Sequence, residues 1–341
     1  MKFLLDPDVT FLNHGSYGAC PEPVFAYYQE LQRELERNPV EFLARRFDEL
    51  TGEARAALAT FVGAQPDDLV FVPNATSGLN AVIRSLKLEP GDEVLTTRHE
   101  YGAVVRTWEF MGAQLVYAEP DELAAAIGPR TKAVSVSHIT SPTALVLPVA
   151  EICAAAREAG VLSIVDGAHA PGQVPLDLAQ LGADVYAGNC HKWLCAPKGA
   201  GFLWARPEHQ RWIEPLVVSW GYGAETSFAE RHGWQGTRDP AAALAVPAAI
   251  DAHRTFDLER CRRLAASFHD RLPPVGPNPA PQMWASELDT GDPDGLQTRL
   301  FDDHRIEVVV REWEGRSLLR VSIGPYNDAA DVELLLGALN L

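Results

Sequence analysis

Two short segments carry the chemistry that stands out in this chain, Ile164-Val165-Asp166-Gly167-Ala168-His169 and Gly188-Asn189-Cys190-His191-Lys192-Trp193. Each opens as an apolar run and closes on polar residues. Asp166 and Lys192 therefore fall at the carboxyl ends of two predicted strands, 26 residues apart (192 − 166). In an open α/β sheet, ligands sit outside those ends, so one carboxylate and one amine point into the same crevice. A carboxylate ~4 Å from a protonated ring nitrogen, at an effective dielectric of ~20, stabilises that cation by ~4 kcal/mol, or roughly three pKa units. A lysine that loses its proton in a partly apolar site attacks an aldehyde.

A protonated pyridine ring bearing an aldehyde is what pyridoxal 5'-phosphate (PLP) presents. The pair predicts that cofactor, held as a Schiff base at Lys192. The other four lysines are worse placed: Lys2 is terminal, Lys87 and Lys132 lie in polar connections, and Lys198 sits in a Pro-Lys-Gly turn. Phosphate requires backbone amides and hydroxyls at a helix start. Val72-Pro73-Asn74-Ala75-Thr76-Ser77-Gly78 supplies them after a strand, with Ala75 and Thr76 at the amide-rich position. Arg320 lies inside the apolar run Leu318–Ile323. A charge there is costly unless paired, and a guanidinium pairs a carboxylate through two parallel hydrogen bonds.

The elements that must position these groups follow from periodicity. Strands are predicted at Leu69–Val72, Glu93–Thr97, Gln114–Ala118, Ala133–Ser137, Val161–Val165, Asp184–Gly188 and Ala200–Trp204. Helices such as Ala75–Leu86 and Val149–Ala159 alternate with them, the latter ended by Gly160. Strands made of consecutive apolar residues argue for a mainly parallel sheet covered on both faces. After the proline-rich stretch Pro273–Pro281 come a strand (Met283–Leu288), a helix (Asp294–Asp303), strands Ile306–Arg311 and Ser317–Ile323, and a last helix (Ala329–Leu339). This is a small α+β unit, with a long helix expected to join it to the sheet. The division predicted is an N-terminal segment (1–20), a large domain (21–250) and a small domain (251–341).

These motifs resemble the class V aminotransferase superfamily of PLP enzymes with the aspartate aminotransferase-like fold. Phe11–Gly18 and Arg98-His99-Glu100-Tyr101-Gly102-Ala103 resemble its isopenicillin N epimerase-like branch, near the sulfoxide C–S lyases and the cysteine desulfurases. The resemblance implies a PLP-dependent enzyme acting at the α-carbon of an amino acid. It implies that Asp166 pairs with the pyridine nitrogen, that His169 contacts the phenolic oxygen, and that Asn189 and His191 join the phosphate shell. It implies Tyr101 stacked on the ring, Arg320 on the substrate α-carboxylate, and Asn13 and His14 over the mouth of the site. Thr237 is implied to reach the phosphate of a second subunit, which makes a homodimer with shared sites. Lys192 then takes the α-proton, and Tyr101 or His14 could return one from the far face. Epimerase, lyase and transaminase outcomes stay open, as does a catalytically silent PLP-binding regulator or carrier. The segment Val309–Ser317 has no cysteine, which disfavours a persulfide mechanism.

Composition narrows the partners. The net charge of −17 opposes nucleic acid and anionic lipid. No apolar run reaches the ~20 residues of a membrane span, and the first residues do not resemble a signal peptide. Five cysteines without paired spacing read as reduced thiols of a cytoplasmic protein, and Cys190-x4-Cys195 lacks the second pair that zinc needs.

Overall fold

Alternate residues of each buried strand go to opposite sides of one sheet, which is why its strands read as unbroken apolar runs. Ile164, Val185, Ala187 and Leu203 pack in a cluster with Leu79, Val82 and Trp108, while Val165, Tyr186 and Phe202 pack in another with Val134, Ile152 and Ala249. Full burial of such a side chain contributes about 1.5–3 kcal/mol. The computed structural model describes residues 1–341.

The twelve strands are β1 (Thr10–Phe11), β2 (Leu69–Val72), β3 (Glu93–Thr96), β4 (Gln114–Tyr117), β5 (Thr131–Ser137), β6 (Leu162–Gly167), β7 (Val185–Asn189), β8 (Gly201–Ala205), β9 (Met283–Leu288), β10 (Ile306–Glu307), β11 (Val309–Trp313) and β12 (Arg316–Ser322). Seven form the large sheet in the order β2-β8-β7-β6-β5-β3-β4. All pairings are parallel except those of β8, which runs antiparallel to β2 and β7. The connection from Asn189 to Gly201 is too short for the dozen or more residues of a parallel crossover, so the chain reverses. The predicted strands match to within one or two residues. The helices lie at Ala75–Ser85 and Val149–Glu158, and Gly160 follows the second with φ +69°.

The small sheet has the order β11-β12-β9. One face, with Trp284, Val310, Leu319 and Val321, packs on the helices that supply Cys261, Leu300 and Leu335. The other face carries Met283 and Ala285 into the core of the large sheet, and Arg320, opposite Ala285, shares that face.

Two expectations need correction. The predicted strand Ile306–Arg311 is two strands, because β10 pairs in parallel with β1 and the chain then changes partner at the buried Val308 to pair with β12. The joining helix is also two, Val246–His253 and Leu258–Ala266, since Asp257 starts the second by accepting the Arg260 amide. No helix is long and apolar enough to cross a membrane.

Candidate active site

The carboxyl ends of β5, β6 and β7 and the start of helix Ala75–Ser85 enclose a cavity of about 300 Å³. Ala75, Thr76, Tyr101, Asp166, His169, Asn189, His191 and Lys192 all line it, with Ser16, Tyr17 and Ser141. A larger cavity, about 670 Å³, near Trp220 and Arg238 contains none of the candidate catalytic side chains.

Lys192 Nζ lies 3.1 Å from His169 Nε2, and the Trp193 indole N–H donates to His169 Nδ1 at 3.3 Å. A neutral imidazole carries one proton. With Nδ1 accepting from Trp193, that proton is on Nε2 and is donated to Lys192, whose amine must accept it and is therefore neutral. Electrostatics agrees. Burial, with help from the Arg320 charge and against the pull of Asp166, lowers Lys192 from 10.5 to about 7, and burial holds His169 well below its ordinary value. Below about pH 7 the amine binds a proton and loses its lone pair. Pulse acetylation of cofactor-free protein, followed by peptide mass spectrometry, is expected to label Lys192 with a midpoint near pH 7 and to fall about tenfold per pH unit below it. A midpoint above 9 contradicts the neutral amine.

Asp166 is buried, with Oδ1 accepting the Ala168 amide at 2.9 Å. It forms no ion pair, and burial raises its pKa despite that amide and the Lys192 charge. Beside it Glu100, which the sequence reading did not single out, accepts from Thr97 Oγ1 and Ser137 Oγ, both at 2.7 Å. Burial pushes Glu100 up to about 7 against these two hydrogen bonds.

At the helix start, Asn74 caps by accepting the Ser77 amide at 2.9 Å, and the Ala75 amide is donated to Asn189 Oδ1 at 2.8 Å. The expectation that Ala75 and Thr76 both offer amides to an anion thus narrows to Thr76, whose N–H has no partner. His191 Nδ1 donates to the Ala200 carbonyl at 3.1 Å and burial lowers the ring to about 4, so Nε2 faces the cavity as an acceptor and donates to an anion only when the ring takes a second proton.

Arg320 is 2% exposed and meets no carboxylate. Nη1 donates to the Ser141 carbonyl at 2.7 Å and Nη2 to Ser16 Oγ at 2.8 Å, while Nε has no partner. A structural ion pair is therefore not its role. Burial lowers it from 12.5 to about 9.

The N-terminal residues differ from expectation. His14 is fully buried with Nε2 donating to the Lys192 carbonyl at 3.0 Å and Nδ1 accepting from the Tyr326 hydroxyl at 3.1 Å, and burial lowers it to about 4. It supports the lysine segment from behind and has no free nitrogen. Asn13 also stays out of the cavity. Its amide donates to Glu307 at 3.3 Å and its carbonyl accepts from Ser16 Oγ at 2.6 Å, so it orients the serine that touches Arg320. Ser16 and Tyr17, one helical turn on, face the cavity instead. Gly18, at φ +72°, closes this turn so tightly that an added Cβ would lie 1.8 Å from the His191 carbonyl oxygen. Thr237 is exposed and outside the cavity.

Together these groups fit PLP. A free helix amide suits a phosphate, an unpaired buried carboxylate suits a ring cation, a neutral amine suits an aldehyde, and a buried unpaired guanidinium suits a substrate carboxylate.

The family model for aminotransferase class-V matches residues 19–273. The chain is similar to isopenicillin N epimerase of Amycolatopsis lactamdurans, 39% identical over 98% of this chain and 95% of the relative. It is also similar to a chloroplastic protein of Arabidopsis thaliana named "Probable L-cysteine desulfhydrase", 28% identical over 98% of this chain and 83% of the relative. Among solved structures, the cystine C-S lyase C-DES in complex with cysteine persulfide superposes with a TM-score of 0.85 at 24% identity, over 98% of this chain and 97% of that one.

Proposed function

The chain belongs to the aminotransferase class-V family, and from that premise we propose that this PLP-dependent enzyme inverts the α-carbon of an amino acid, with Lys192 as its proton carrier. The observation that carries this reading is the run of hydrogen bonds from Trp193 through His169 to Lys192, which makes the amine neutral beside an unpaired Arg320.

PLP, when bound, supplies a carbonyl for amine condensation and a ring that draws electron density from the α-carbon. The Thr76 amide and the Asn189 side-chain amide would hold its phosphate, joined by His191 Nε2 when that ring carries a second proton. Asp166 would hold a proton on its ring nitrogen, His169 Nε2–H would meet its phenolic oxygen, and Tyr101 would lie against its ring. Arg320, oriented by Ser16, holds the substrate α-carboxylate. Lys192 Nζ accepts the α-proton as general base. Return of a proton from the far face falls to Tyr101, since both His14 nitrogens are engaged.

A persulfide route has no support. β11 and β12 are joined by Glu314-Gly315 alone, both at positive φ, a turn of the tight hairpin kind, and no cysteine lines the cavity. A homodimer is part of the proposal. Val218 and Trp220 are 65% and 93% exposed, and such an apolar surface suits a second copy, with Thr237 reaching that copy's phosphate. The same reading keeps the segment 1–20, the large domain 21–250 and the small domain 251–341. It places the enzyme in the cytoplasm, in keeping with five free cysteines.

The test is incubation of holoenzyme in deuterium oxide with L- and D-amino acids, followed by chiral chromatography and mass spectrometry. Deuterated product of both configurations is expected. Ammonia and keto acid without the opposite enantiomer would replace inversion with β-elimination, and absence of any α-deuteration across the panel would sink α-proton chemistry.

A further inference from the structure

A second arginine shares the sheet face of Arg320. Register sets Val309 of β11 opposite Arg320 of β12, and Arg311 opposite Leu318. Residues two apart on a strand share a face, so Arg311 is the diagonal neighbour of Arg320 on the face turned to the large sheet. Diagonal neighbours stand about 7–8 Å apart. Trp313, two residues on, packs on His99 with ring centroids 4.8 Å apart and donates its indole N–H to the Arg98 carbonyl at 3.3 Å. The strand is thus docked beside Tyr101. The Arg311 charge acts on His169 and Arg320, and the phenols of Tyr17 and Tyr101 act on it in turn.

Arg311 makes no hydrogen bond and no ion pair within the chain, and its Nε is buried without a partner. The nearby acids are engaged elsewhere: Glu314 pairs with Arg98 and Glu287 with Arg316, and Glu312 lies on the opposite face. Two guanidinium groups this close repel each other. One α-carboxylate on Arg320 leaves the second cation unanswered, and burial already disfavours the charge on both.

The geometry points to Arg311 as the receptor for a second carboxylate, carried on the side chain of the substrate, so that the enzyme selects acidic amino acids over neutral ones. The inference rests on the reading of Arg320 as the α-carboxylate site. It assigns specificity to Arg311 and leaves proton transfer to the groups described above.

Calorimetric titration of the holoenzyme with unreactive acids tests it. Glutarate is expected to bind about 10–100-fold more tightly than butyrate, the range of one added charge-assisted contact. Arg311→Met, which keeps an apolar stem, should abolish that advantage and leave butyrate within about twofold. Arg311→Lys should restore part of it. Arg320→Met should weaken both acids. Equal binding of the two acids by wild type overturns the proposal, as does Arg311→Met weakening both equally, which would mean that the arginines share one carboxylate. No binding of either acid, or full binding by Arg320→Met, removes the Arg320 reading itself and the proposal with it. That pattern is distinct from a failure at Arg311 alone.

Discussion

Lys192→Ala is expected to lower turnover at least ~10³-fold while the protein stays folded and still binds PLP. A positioned general base contributes about 10²–10⁴-fold, and this variant removes the base together with the covalent anchor. The fold is spared because the amine makes one side-chain contact, to His169, whose other nitrogen remains held by Trp193. Removing a desolvated amine also removes the burial that lowers its pKa to about 7. Two measurements check this. Borohydride reduction followed by mass spectrometry should fix the cofactor to wild type and not to the variant. Steady-state assays should recover part of the rate when small primary amines are added, because such amines fit the space left by the side chain. Retention of more than a tenth of wild-type turnover would assign the proton to another residue.

Asp166→Asn should cost about 10³-fold in kcat with little change in KM. Loss of an ion pair worth ~4 kcal/mol moves the ring nitrogen by roughly three pKa units, and the protonated ring is needed when charge develops at the α-carbon rather than when substrate binds. Stability should move the other way. Asp166 is a buried carboxylate with one backbone donor and no cation of its own, so the isosteric amide relieves an uncompensated charge. Cofactor-free Asp166→Asn should melt at the same temperature as wild type or higher. A large fall in melting temperature together with a modest fall in kcat would make Asp166 a structural residue.

What the sequence could show depended on whether the signal was local. Asp166 and Lys192 were legible because apolar runs end at each, and strand ends in such sheets are where ligands sit. Arg320 was legible as a charge inside an apolar strand. The reversed direction of β8 was present in the short connection after Asn189, a count that periodicity alone does not make. Arg311 was hidden, since its strand alternates in the manner of any surface hairpin and only the pairing with β12 brings it beside Arg320. The shift from Asn13 and His14 to Ser16 and Tyr17 was equally hidden. Which side of a four-residue helix faces a cavity is decided by packing against Trp193 and Tyr326, partners far away in the chain. The split at Val308 has the same origin, because a two-residue strand at the N-terminus supplies half of the pairing.

That pairing also sets an order of assembly. Asn13 and Glu307 touch across 294 residues, and at roughly 5–20 residues per second a ribosome needs about 15–60 s to connect them. Until then the first strand has no edge to join, and such long-range contacts close late. The crevice holding Asp166 and Lys192 is complete in sequence long before Arg320 is synthesised. A chain halted before β10 would carry the groups proposed to hold the cofactor and none of those proposed to recognise the substrate, so the two capacities arrive one after the other during synthesis.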